Sequence, residues 1–539
     1  MKVTRLLFIS LFAFQFSYGQ TWQDTLSLID ESFSQYLPGN PGCQLSISKN
    51  GQLIFSKAWG MTDLERNVSL TINSILEAGS VSKQFTAASI LLLEQQRKLS
   101  LNDNVRKYIP ELPDYGIPIT LRQMLHHTSG IRDWSDVVEL TAWPRGQKFY
   151  TNKDVLEIII RQKHLNNRPG DEFLYSNSNY ILFAIIVQRV SGLSLATFTQ
   201  KYIFEPAGMK QTQWRDDPNR IVPNRAIAYS KSVNGFKIDM PNENVYGPGG
   251  LLTTTEDLLK WNNFYQSGKF GDPSLLSKQT ETEPLGNGVT NPYAAGLFIN
   301  KVMGWDNISH DGVTAGYRAY LETFPQLHIS IAILSNTSQF NIDNVANTIR
   351  KIFVPDKTET VKEMHGNIKL SEDFLNSLAG MYVNERNRST FRLAVKDSTL
   401  MLDDYLPLMV VSDHSFKADN FILEINGIRG SYIPLSPRDT VHFSKAQPVN
   451  LSEKDFNIYE GKYFSEETNS SVTIQRDSSK LIIRFNADKV YQLIPTYKDA
   501  FTINELGCDL QFIRSVQNKI YRIKFYFWRT RGIEFEKLK

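Results

Sequence analysis

The last third of the chain repeats itself, and a repeat of this size leaves few folds open. From Leu370 onward, short apolar runs alternate with polar turns, and the second half of this region echoes the first at an offset of 80 or 81 residues. The paired segments are LSEDF at Leu370 and LSEKDF at Leu451, Gly380 with Tyr382 and Gly461 with Tyr463, and DNF at Asp419 and DAF at Asp499. Four echoes in register indicate two copies of one β unit, and units of roughly this size with many short strands usually close into small barrels. The sequence therefore predicts two small antiparallel β-barrel-like domains, at 370–450 and 451–539.

The region before about residue 355 differs, because helical and strand patterns alternate in it. A first amphipathic helix is predicted by apolar residues at helical spacing, Leu26, Ile29, Phe33 and Leu37. CQLSISK and QLIFSKAW alternate apolar and polar residues on either side of Asn50-Gly51, a strong hairpin signal. Strand-rich segments return late, in FINKVMGW, YRAYLETF and HISIAILSN. These patterns predict an α+β domain at 20–360 whose strands form largely hairpins.

The N-terminus has the pattern of a secretory signal. Lys2 and Arg5 precede an apolar stretch, Leu6–Phe16, and the small residues Ser17 and Gly19 follow at the spacing of a cleavage site. The apolar stretch is shorter than the roughly 20 residues that a membrane span needs. We therefore expect a signal peptide at 1–19, a periplasmic or extracellular protein, and no membrane span after cleavage.

Composition narrows the function classes. The 539 residues include 59 Lys and Arg and 56 Asp and Glu, a net charge of +3, which gives no indication of nucleic-acid binding. Hydrophobic residues at 41% and charged residues at 21% are typical of a soluble globular protein. The two cysteines, Cys43 and Cys508, are too few for a disulfide framework and too far apart for a metal cluster. The sequence predicts two free, buried thiols, although export would make a bridge possible.

Ser80 and Lys83 are the first candidates for chemistry. They stand three residues apart at the start of the apolar helical run in EAGSVSKQFTAASILLLEQQ, so both would lie on one helix face. A Lys amine placed there can activate the Ser hydroxyl, and the helix N-terminus favours developing negative charge. Ser46 and Lys49 have the same spacing, but they lie in an alternating strand, where such residues face opposite sides. Only the pair at Ser80 has the right setting.

A second candidate is YSNSNY, in which Tyr175 and Asn177 precede the apolar run YILFAIIVQRVSG. A structural explanation is available, because Ser176, Asn177 and Asn179 could cap a helix that ends at Gly192. Buried Tyr is also more often a packing residue than a catalytic one.

The third candidate is SHDGVTAGY, placed between strands, with the only HxG of the chain at His310. A strand-borne Gly allows a ligand backbone to approach closely, and a following N–H can stabilise an oxyanion. A lone His beside Gly is otherwise usually a turn residue.

Together, in this order and spacing, the three elements resemble the serine β-lactamase and penicillin-binding-protein superfamily, and most of all its class C β-lactamase-like branch. TLRQMLHHTSGIRDW at Thr120 and GPGGLLTTTEDLLKW at Gly247 look like framework motifs of that branch. The resemblance covers about Thr21 to Pro355. It implies a β-lactamase-like α/β sandwich with an antiparallel sheet and a helical subdomain. The two β repeats are similar in arrangement to the paired barrels of D-aminopeptidases in this family.

The resemblance also implies roles at the matching positions. Ser80 would be the nucleophile that forms an acyl-enzyme, Lys83 its activating base, and Tyr175 the proton relay to the leaving group. The backbone N–H groups of Ser80 and Val313 would form the oxyanion hole. Ser, Lys and Tyr suffice for acyl transfer, so we expect no cofactor and no metal.

Three further residues are expected to bind substrate: Asn177, which would hold the substrate amide, His310 and Gly312. The family's β-lactamases usually carry KTG at the third motif, and here His310 replaces the Lys. His is mostly neutral at pH 7 and holds a carboxylate less firmly than Lys does. In the family, HxG goes with peptidases and esterases.

The leading hypothesis is therefore a secreted serine hydrolase acting on a peptide, with D-residues among the candidates, or on an ester. Two alternatives stay open: a weak β-lactamase, and a non-catalytic protein that binds penicillin or cell-wall peptides. The expected partners are thus small peptide, ester or β-lactam substrates, and the two β repeats are expected to shape or cover the cleft.

Overall fold

The computed structural model describes residues 22–36, 39–358, 368–418, 421–434 and 440–539. The predicted signal peptide at 1–19 lies outside these residues, as does Leu37 of the predicted first helix. A mixed α/β region comes first. Two β-rich units follow, which we call unit 1 (Glu372–Ala446) and unit 2 (Glu453–Lys537).

The predicted N-terminal hairpin is confirmed. Strands β1 (Cys43–Lys49) and β2 (Gln52–Trp59) pair antiparallel. Asn50 and Gly51 have φ angles of 53° and 73°, and a type I′ turn requires positive φ at both positions. Ser46 on β1 is buried and hydrogen-bonds with the Thr255 hydroxyl at 2.7 Å, whereas Lys49 is exposed. This second Ser–Lys pair therefore cannot act together.

A six-stranded antiparallel sheet forms the centre of the α/β region. Besides β1 and β2 it contains β12 (Phe298–Val302), β13 (Trp305–Thr314), β14 (Tyr317–Phe324) and β15 (Ile329–Ser335). Their order is β12-β13-β14-β15-β1-β2. The other strands of the region are β3 (Met61–Asp63), β4 (Val68–Ser69), β5 (Leu76–Glu77), β6 (Tyr150–Thr151), β7 (Gln213–Trp214), β8 (Tyr229–Ser232), β9 (Gly235–Ile238), β10 (Glu243–Asn244) and β11 (Leu251–Thr253).

Helices cover both faces of this sheet. The helices of the α/β region are α1 (Trp22–Ser32), α2 (Lys83–Gln95), α3 (Leu121–Leu125), α4 (Trp134–Val137), α5 (Asn152–Ile160), α6 (Asn177–Ser191), α7 (Leu195–Thr199), α8 (Glu205–Ala207), α9 (Thr255–Gln266), α10 (Ser274–Thr280) and α11 (Ile342–Phe353). Because side chains alternate along a strand, Ile331 and Ile333 of β15 pack in a small core with α1 and α11. Ala332 and Leu334 belong to the main core, with α2 and α6.

Helix α2 is almost completely buried in the α/β region. Eleven of its thirteen residues are buried, so its first turn is held by contacts on all sides. The 3₁₀ turn Gly79–Ser82 leads directly into it. Residues at this junction are therefore fixed in space by the core.

Unit 1 contains α12 and nine strands, in the sheet order β19-β18-β17-β16-β24-β23-β22-β21-β20. Their bounds are α12 (Glu372–Leu378), β16 (Gly380–Asn384), β17 (Thr390–Lys396), β18 (Thr399–Leu402), β19 (Leu406–Pro407), β20 (Met409–Val410), β21 (Ser415–Lys417), β22 (Phe421–Asn426), β23 (Arg429–Pro434) and β24 (Val441–Ala446). The two edge strands, β19 and β20, are two residues long and follow one another in the chain. The predicted barrel shape is thus nearly, but not fully, closed here.

Unit 2 is a closed eight-stranded barrel in which β25 pairs with β32. Its strands are β25 (Gly461–Ser465), β26 (Ser470–Asp477), β27 (Lys480–Arg484), β28 (Val490–Pro495), β29 (Ala500–Ile503), β30 (Cys508–Arg514), β31 (Ile520–Tyr526) and β32 (Arg531–Lys537). Cys508 and Cys43 are both buried, and neither forms a disulfide.

Candidate active site

The turn that carries Ser80 lies against strand β13. Gly79 has a φ of +49°, and a Cβ added there would lie 2.8 Å from the backbone nitrogen of Val313. A Cβ added at Gly312 would lie 2.1 Å from the carbonyl oxygen of Ala78. Only glycine at both positions allows the turn and the strand to approach this closely.

This contact corrects two expectations about the third motif. His310, Gly312 and Val313 lie inside β13 rather than between strands. The close approach at Gly312 is made by the turn that carries Ser80 rather than by a ligand, because the Ala78 carbonyl fills that space. Gly312 thereby sets the position of the Val313 backbone beside Ser80.

Lys83 reaches Ser80 from the first position of α2. Its Nζ lies 3.0 Å from Ser80 Oγ, 2.9 Å from Asn177 Oδ1 and 2.7 Å from the carbonyl oxygen of Pro248. A neutral amine has two N–H groups and one lone pair. Because the amide oxygen and the carbonyl can only accept, they take both N–H groups, and the lone pair faces the Ser80 hydroxyl.

Burial favours that neutral form. The Lys83 side chain is fully buried, and this desolvation holds the pKa of its amine well below the usual lysine value. The positive charge of Arg529 lowers the pKa further, whereas Asp133 acts in the opposite direction. The neutral amine that this burial favours can accept a proton from a neighbouring hydroxyl.

Tyr175 lies on the other side of the Ser–Lys pair. Its ring centroid is 4.7 Å from Lys83 Nζ and 4.3 Å from the centre of the His127 ring. Burial raises the pKa of its phenol, and a hydrogen bond with Ser80 opposes the rise. Tyr175 is therefore a neutral hydroxyl within reach of Ser80, able to pass a proton in either direction.

Asn177 connects Lys83 to a buried carboxylate that the sequence analysis did not single out. Its backbone N–H and its side-chain Nδ2 both donate to Asp133 Oδ2, at 3.0 and 3.1 Å. A carboxylate can only accept, so the amide oxygen of Asn177 must face Lys83. Asp133 is fully buried and follows directly after the GIR of the Thr120 motif. Asn177 thus holds Lys83 directly, and one Nδ2 hydrogen is left for substrate.

His310 is buried and its two ring nitrogens are already occupied. Nδ1 lies 2.6 Å from the carbonyl oxygen of Asp311, so this nitrogen carries the proton. Nε2 then accepts a hydrogen bond of 2.9 Å from the hydroxyl of Tyr293. Burial lowers the pKa of His310 to about 4, partly offset by Asp311, so the ring is neutral at physiological pH. Like Asp133, Tyr293 was missed by the sequence analysis.

The GPGG segment has a role beyond framework. The carbonyl oxygen of Pro248 accepts from Lys83, and that of Gly247 accepts from the Thr86 hydroxyl at 2.8 Å. Gly247 has a φ of +113°, and a Cβ there would lie 2.6 Å from the Tyr180 carbonyl oxygen. The glycines therefore let this backbone approach α2 and α6 and present a carbonyl to Lys83.

A cavity of about 940 Å³ opens at Ser80. Its walls come from all three parts of the chain: Tyr175, Asn177, His310 and Asp311 from the α/β region, strand residues such as Phe391 and Tyr432 from unit 1, and Trp528, Arg529 and Arg531 from unit 2. Of the candidate site residues, five line this cavity, namely Ser80, Tyr175, Asn177, His310 and Val313. Lys83 is fully buried and contacts Ser80. Residues of both β repeats line the cavity.

Arg529 is the residue of unit 2 that approaches the candidate site most directly. Its guanidinium lies 4.9 Å from the ring centroid of Tyr175, and Nη1 is 3.5 Å from Asp133 Oδ2. Nothing in the local sequence around Arg529 indicates this role, since it lies 354 residues beyond Tyr175. Only the docking of unit 2 places it there.

Across the residues that the structure describes, no group of three or more His, Cys, Asp or Glu side chains could hold a metal ion. No single helix of this described part is long and apolar enough to cross a membrane. One bent pair, Asn177–Ser191 with Leu195–Ala207, passes that test by length and composition.

Comparison with known proteins agrees with this geometry. The sequence model of the β-lactamase family matches residues 29–353. "Protein flp" of Staphylococcus aureus (strain MW2) is 30% identical over 309 residues, which are 55% of this chain and 59% of that protein. "D-aminopeptidase" of Gluconobacter oxydans (strain 621H) is 28% identical over 305 residues, 56% of each chain. The chain thus spans less than two thirds of the length of these two relatives.

The fold is also found among solved structures. The octameric penicillin-binding protein homologue from Pyrococcus abyssi superposes with a TM-score of 0.55 over 78% of this chain and 99% of that chain, at 22% identity. The predicted β-lactamase-like α+β fold, with barrel-shaped sheets at the C-terminus, is confirmed. The chain belongs to the β-lactamase family.

Proposed function

We propose that the chain is an exported serine hydrolase that forms an acyl-enzyme on Ser80 and acts on peptides, D-amino-acid-containing ones included, or on esters. One observation carries the proposal. A fully buried Lys83, with its pKa held well below the usual value, lies 3.0 Å from the hydroxyl of Ser80. This is how a serine is made nucleophilic without a histidine.

The proposed reaction is an acyl transfer. Ser80 Oγ attacks the substrate carbonyl while its proton passes to Lys83. The backbone N–H groups of Ser80 and Val313 are proposed to stabilise the oxyanion, and removal of one such donor typically slows a reaction by a factor of about 10² to 10³. The C–N or C–O bond then breaks, and the leaving group receives the proton through Tyr175. Water cleaves the acyl ester by the reverse sequence and restores Ser80.

Substrate class is argued from chemistry and from similarity. A relative is named D-aminopeptidase, which supports a peptide or amide substrate for this chain. His310 is neutral and both of its nitrogens are occupied, so this position offers no cation to the carboxylate of a β-lactam. Both points favour a peptidase or esterase over a β-lactamase.

Labelling of Ser80 tests the proposal. The protein is incubated with a fluorophosphonate probe, and the labelled residue is identified by peptide mass analysis. Ser80→Ala is expected to abolish labelling, and Lys83→Met to slow it by about 10² or more, since the base is lost. Ser46→Ala is the matched control, because Ser46 has the same spacing to a lysine and should leave labelling unchanged. Equal labelling of wild type and Ser80→Ala would refute the assignment.

The two alternatives predict different products from the same protein. Turnover of nitrocefin faster than of D-aminoacyl amides and short-chain nitrophenyl esters would favour a weak β-lactamase. A stable acyl-enzyme with no turnover of any of these would favour a penicillin-binding or cell-wall-peptide-binding protein.

Export to the periplasm or medium is proposed from the pattern around Lys2, Arg5 and Gly19. N-terminal sequencing of the protein recovered from expressing cells is expected to begin at Gln20. An N-terminus at Met1 in all recovered protein would contradict export by this signal.

A further inference from the structure

The turn of unit 2 that carries Arg529 is fixed to the α/β region by its backbone. The N–H of Arg529 donates to Asp136 Oδ2 at 3.0 Å, and its carbonyl accepts from Asn166 Nδ2 at 2.8 Å. The hydroxyl of the next residue, Thr530, donates to the carbonyl of Asp133 at 3.1 Å. The position of Arg529 is therefore set before any ligand binds, and little ordering cost remains at binding.

The guanidinium itself is only partly used. It stacks over Tyr175 and makes one long contact, 3.5 Å, to an Asp133 oxygen that already accepts two shorter hydrogen bonds from Asn177. Within the described part of the chain, Nε and Nη2 make no hydrogen bond. The side chain keeps 37% of its surface exposed and lines the cavity.

The other cations that line the cavity are committed to carboxylates. Arg145 donates two hydrogen bonds to Glu243. Arg386 and Arg531 both pair with Glu172, at 3.5 and 3.0 Å. His310, as described above, is neutral. Arg529, by contrast, contacts a carboxylate oxygen that already accepts two hydrogen bonds from Asn177, and its Nε and Nη2 groups can donate to a ligand.

We propose that Arg529 is a specificity-determining residue that binds a carboxylate carried by the leaving group of the substrate. The proposal rests on the proposed function and adds a substrate class to it: esters or peptides whose leaving group is anionic. Arg529 lies over Tyr175, the residue proposed to protonate the leaving group. This location assigns the carboxylate to the leaving group rather than to the acyl group. Asp311 on β13 also lines the cavity, and its negative charge disfavours an anion beside it.

The test uses two esters that share one acyl group and differ in the leaving group. The leaving group is 3-hydroxybenzoate, which carries a carboxylate, in the first ester and 3-hydroxybenzamide in the second. Each competes with the fluorophosphonate probe for Ser80, so the readout exists whether or not the acyl-enzyme turns over. Their spontaneous hydrolysis rates correct for intrinsic reactivity. Wild type is expected to prefer the carboxylate ester by roughly tenfold or more, as a charge-assisted hydrogen bond allows. In Arg529→Gln the ratio of the two esters' reactivities with Ser80 should fall to near one, and Arg529→Lys should keep part of the preference for the carboxylate ester.

Arg531→Gln is the matched control. It also removes one positive charge, two residues from Arg529, but the Arg531 side chain already has a carboxylate partner in Glu172. It should retain the wild-type ratio. If Arg531→Gln loses the preference for the carboxylate ester as Arg529→Gln does, the preference comes from the general positive charge of the cavity and the proposal is overturned. At a pH above the acidic limb of the labelling profile, a fall in the labelling rate of Ser80 with the probe alone would reveal a misplaced unit 2 in any variant.

The outcomes separate this inference from the proposed function. Normal labelling of Ser80 with no preference for the carboxylate ester, or with the same preference in Arg529→Gln, overturns the inference and leaves the serine hydrolase intact. Absence of labelling at Ser80 overturns both.

Discussion

Units 1 and 2 share one internal design. Gly380 and Gly461 both have a φ of 145° at the start of the first strand. Two residues later, the hydroxyls of Tyr382 and Tyr463 each donate a 2.7 Å hydrogen bond to a carbonyl four residues back. Ser371 and Ser452 are the N-cap residues of the helical turns that precede these strands. The echo in the sequence therefore reflects repeated side-chain contacts as well as repeated strands.

The units differ in how they meet the α/β region. The apolar residues of unit 2, Phe456 and Phe485 among them, belong to the same continuous core as helix α2, whereas unit 1 has a core of its own. Position 386 in unit 1 and position 467 in unit 2 are equivalent at the 81-residue offset. Glu467 forms a buried ion pair with Arg132, while Arg386 forms a looser and more exposed one with Glu172. The two units therefore share a fold, but their different interface residues give them different contacts with the α/β region.

Removal of the buried pair should give the largest effect. Glu467 accepts from Arg132, from the Lys163 N–H at 2.8 Å and from the Glu534 N–H at 3.1 Å. Glu467→Ala leaves Arg132 buried without a counter-charge, and we expect a loss of about 3–5 kcal/mol in the free energy of unfolding. Urea unfolding followed by circular dichroism measures it.

The equivalent substitution in unit 1 is the control for that experiment. Arg386→Ala removes a partly exposed pair and is expected to cost less than about 1 kcal/mol. Equal losses in the two variants would show that unit 2 is no more firmly docked than unit 1, and the comparison between them would fail.

The internal design that units 1 and 2 share predicts equal losses of stability when equivalent tyrosines are changed in the two units. Tyr463→Phe and Tyr382→Phe each remove one buried hydroxyl from the same local hydrogen bond. We expect each substitution to lower the free energy of unfolding by about 1 kcal/mol. Thermal unfolding of the two variants side by side is the measurement. A difference of several degrees in the shift of the melting temperature would show that the two tyrosines are not equivalent.

Sequence reasoning succeeded where the determinants are local. Asn50-Gly51 specifies its turn through two positive φ angles, and the Ser80–Lys83 contact follows from adjacent turns of one helical segment. The repeat was visible because the tyrosine and glycine positions recur at a constant offset. The overall fold class was predicted from the family resemblance of the three motifs.

Other features depend on contacts between distant segments. Asp133 orients Asn177 across 44 residues, and Tyr293 donates to His310 only because the two side chains are buried together. The role of Gly312 was assigned to ligand approach, since the sequence does not show that the Ala78 carbonyl fills that space. Arg529 could not be foreseen, because its place depends on how unit 2 packs.

The smallest predicted effect concerns the pH dependence of Ser80 acylation. The proposed reaction needs Lys83 neutral, so its rate with the fluorophosphonate probe should fall as the pH drops through the pKa of Lys83. Burial is the main cause of that low pKa, and the positive charge of Arg529 is the next. Arg529→Gln removes this charge, which favours the protonated amine, raises the pKa of Lys83 and moves the acidic limb of the profile to higher pH. The shift is expected to be limited, because burial is unchanged. Arg386→Gln in unit 1 should leave the limb in place, and a shift to lower pH in Arg529→Gln would show that unit 2 does not act on Lys83 through this charge.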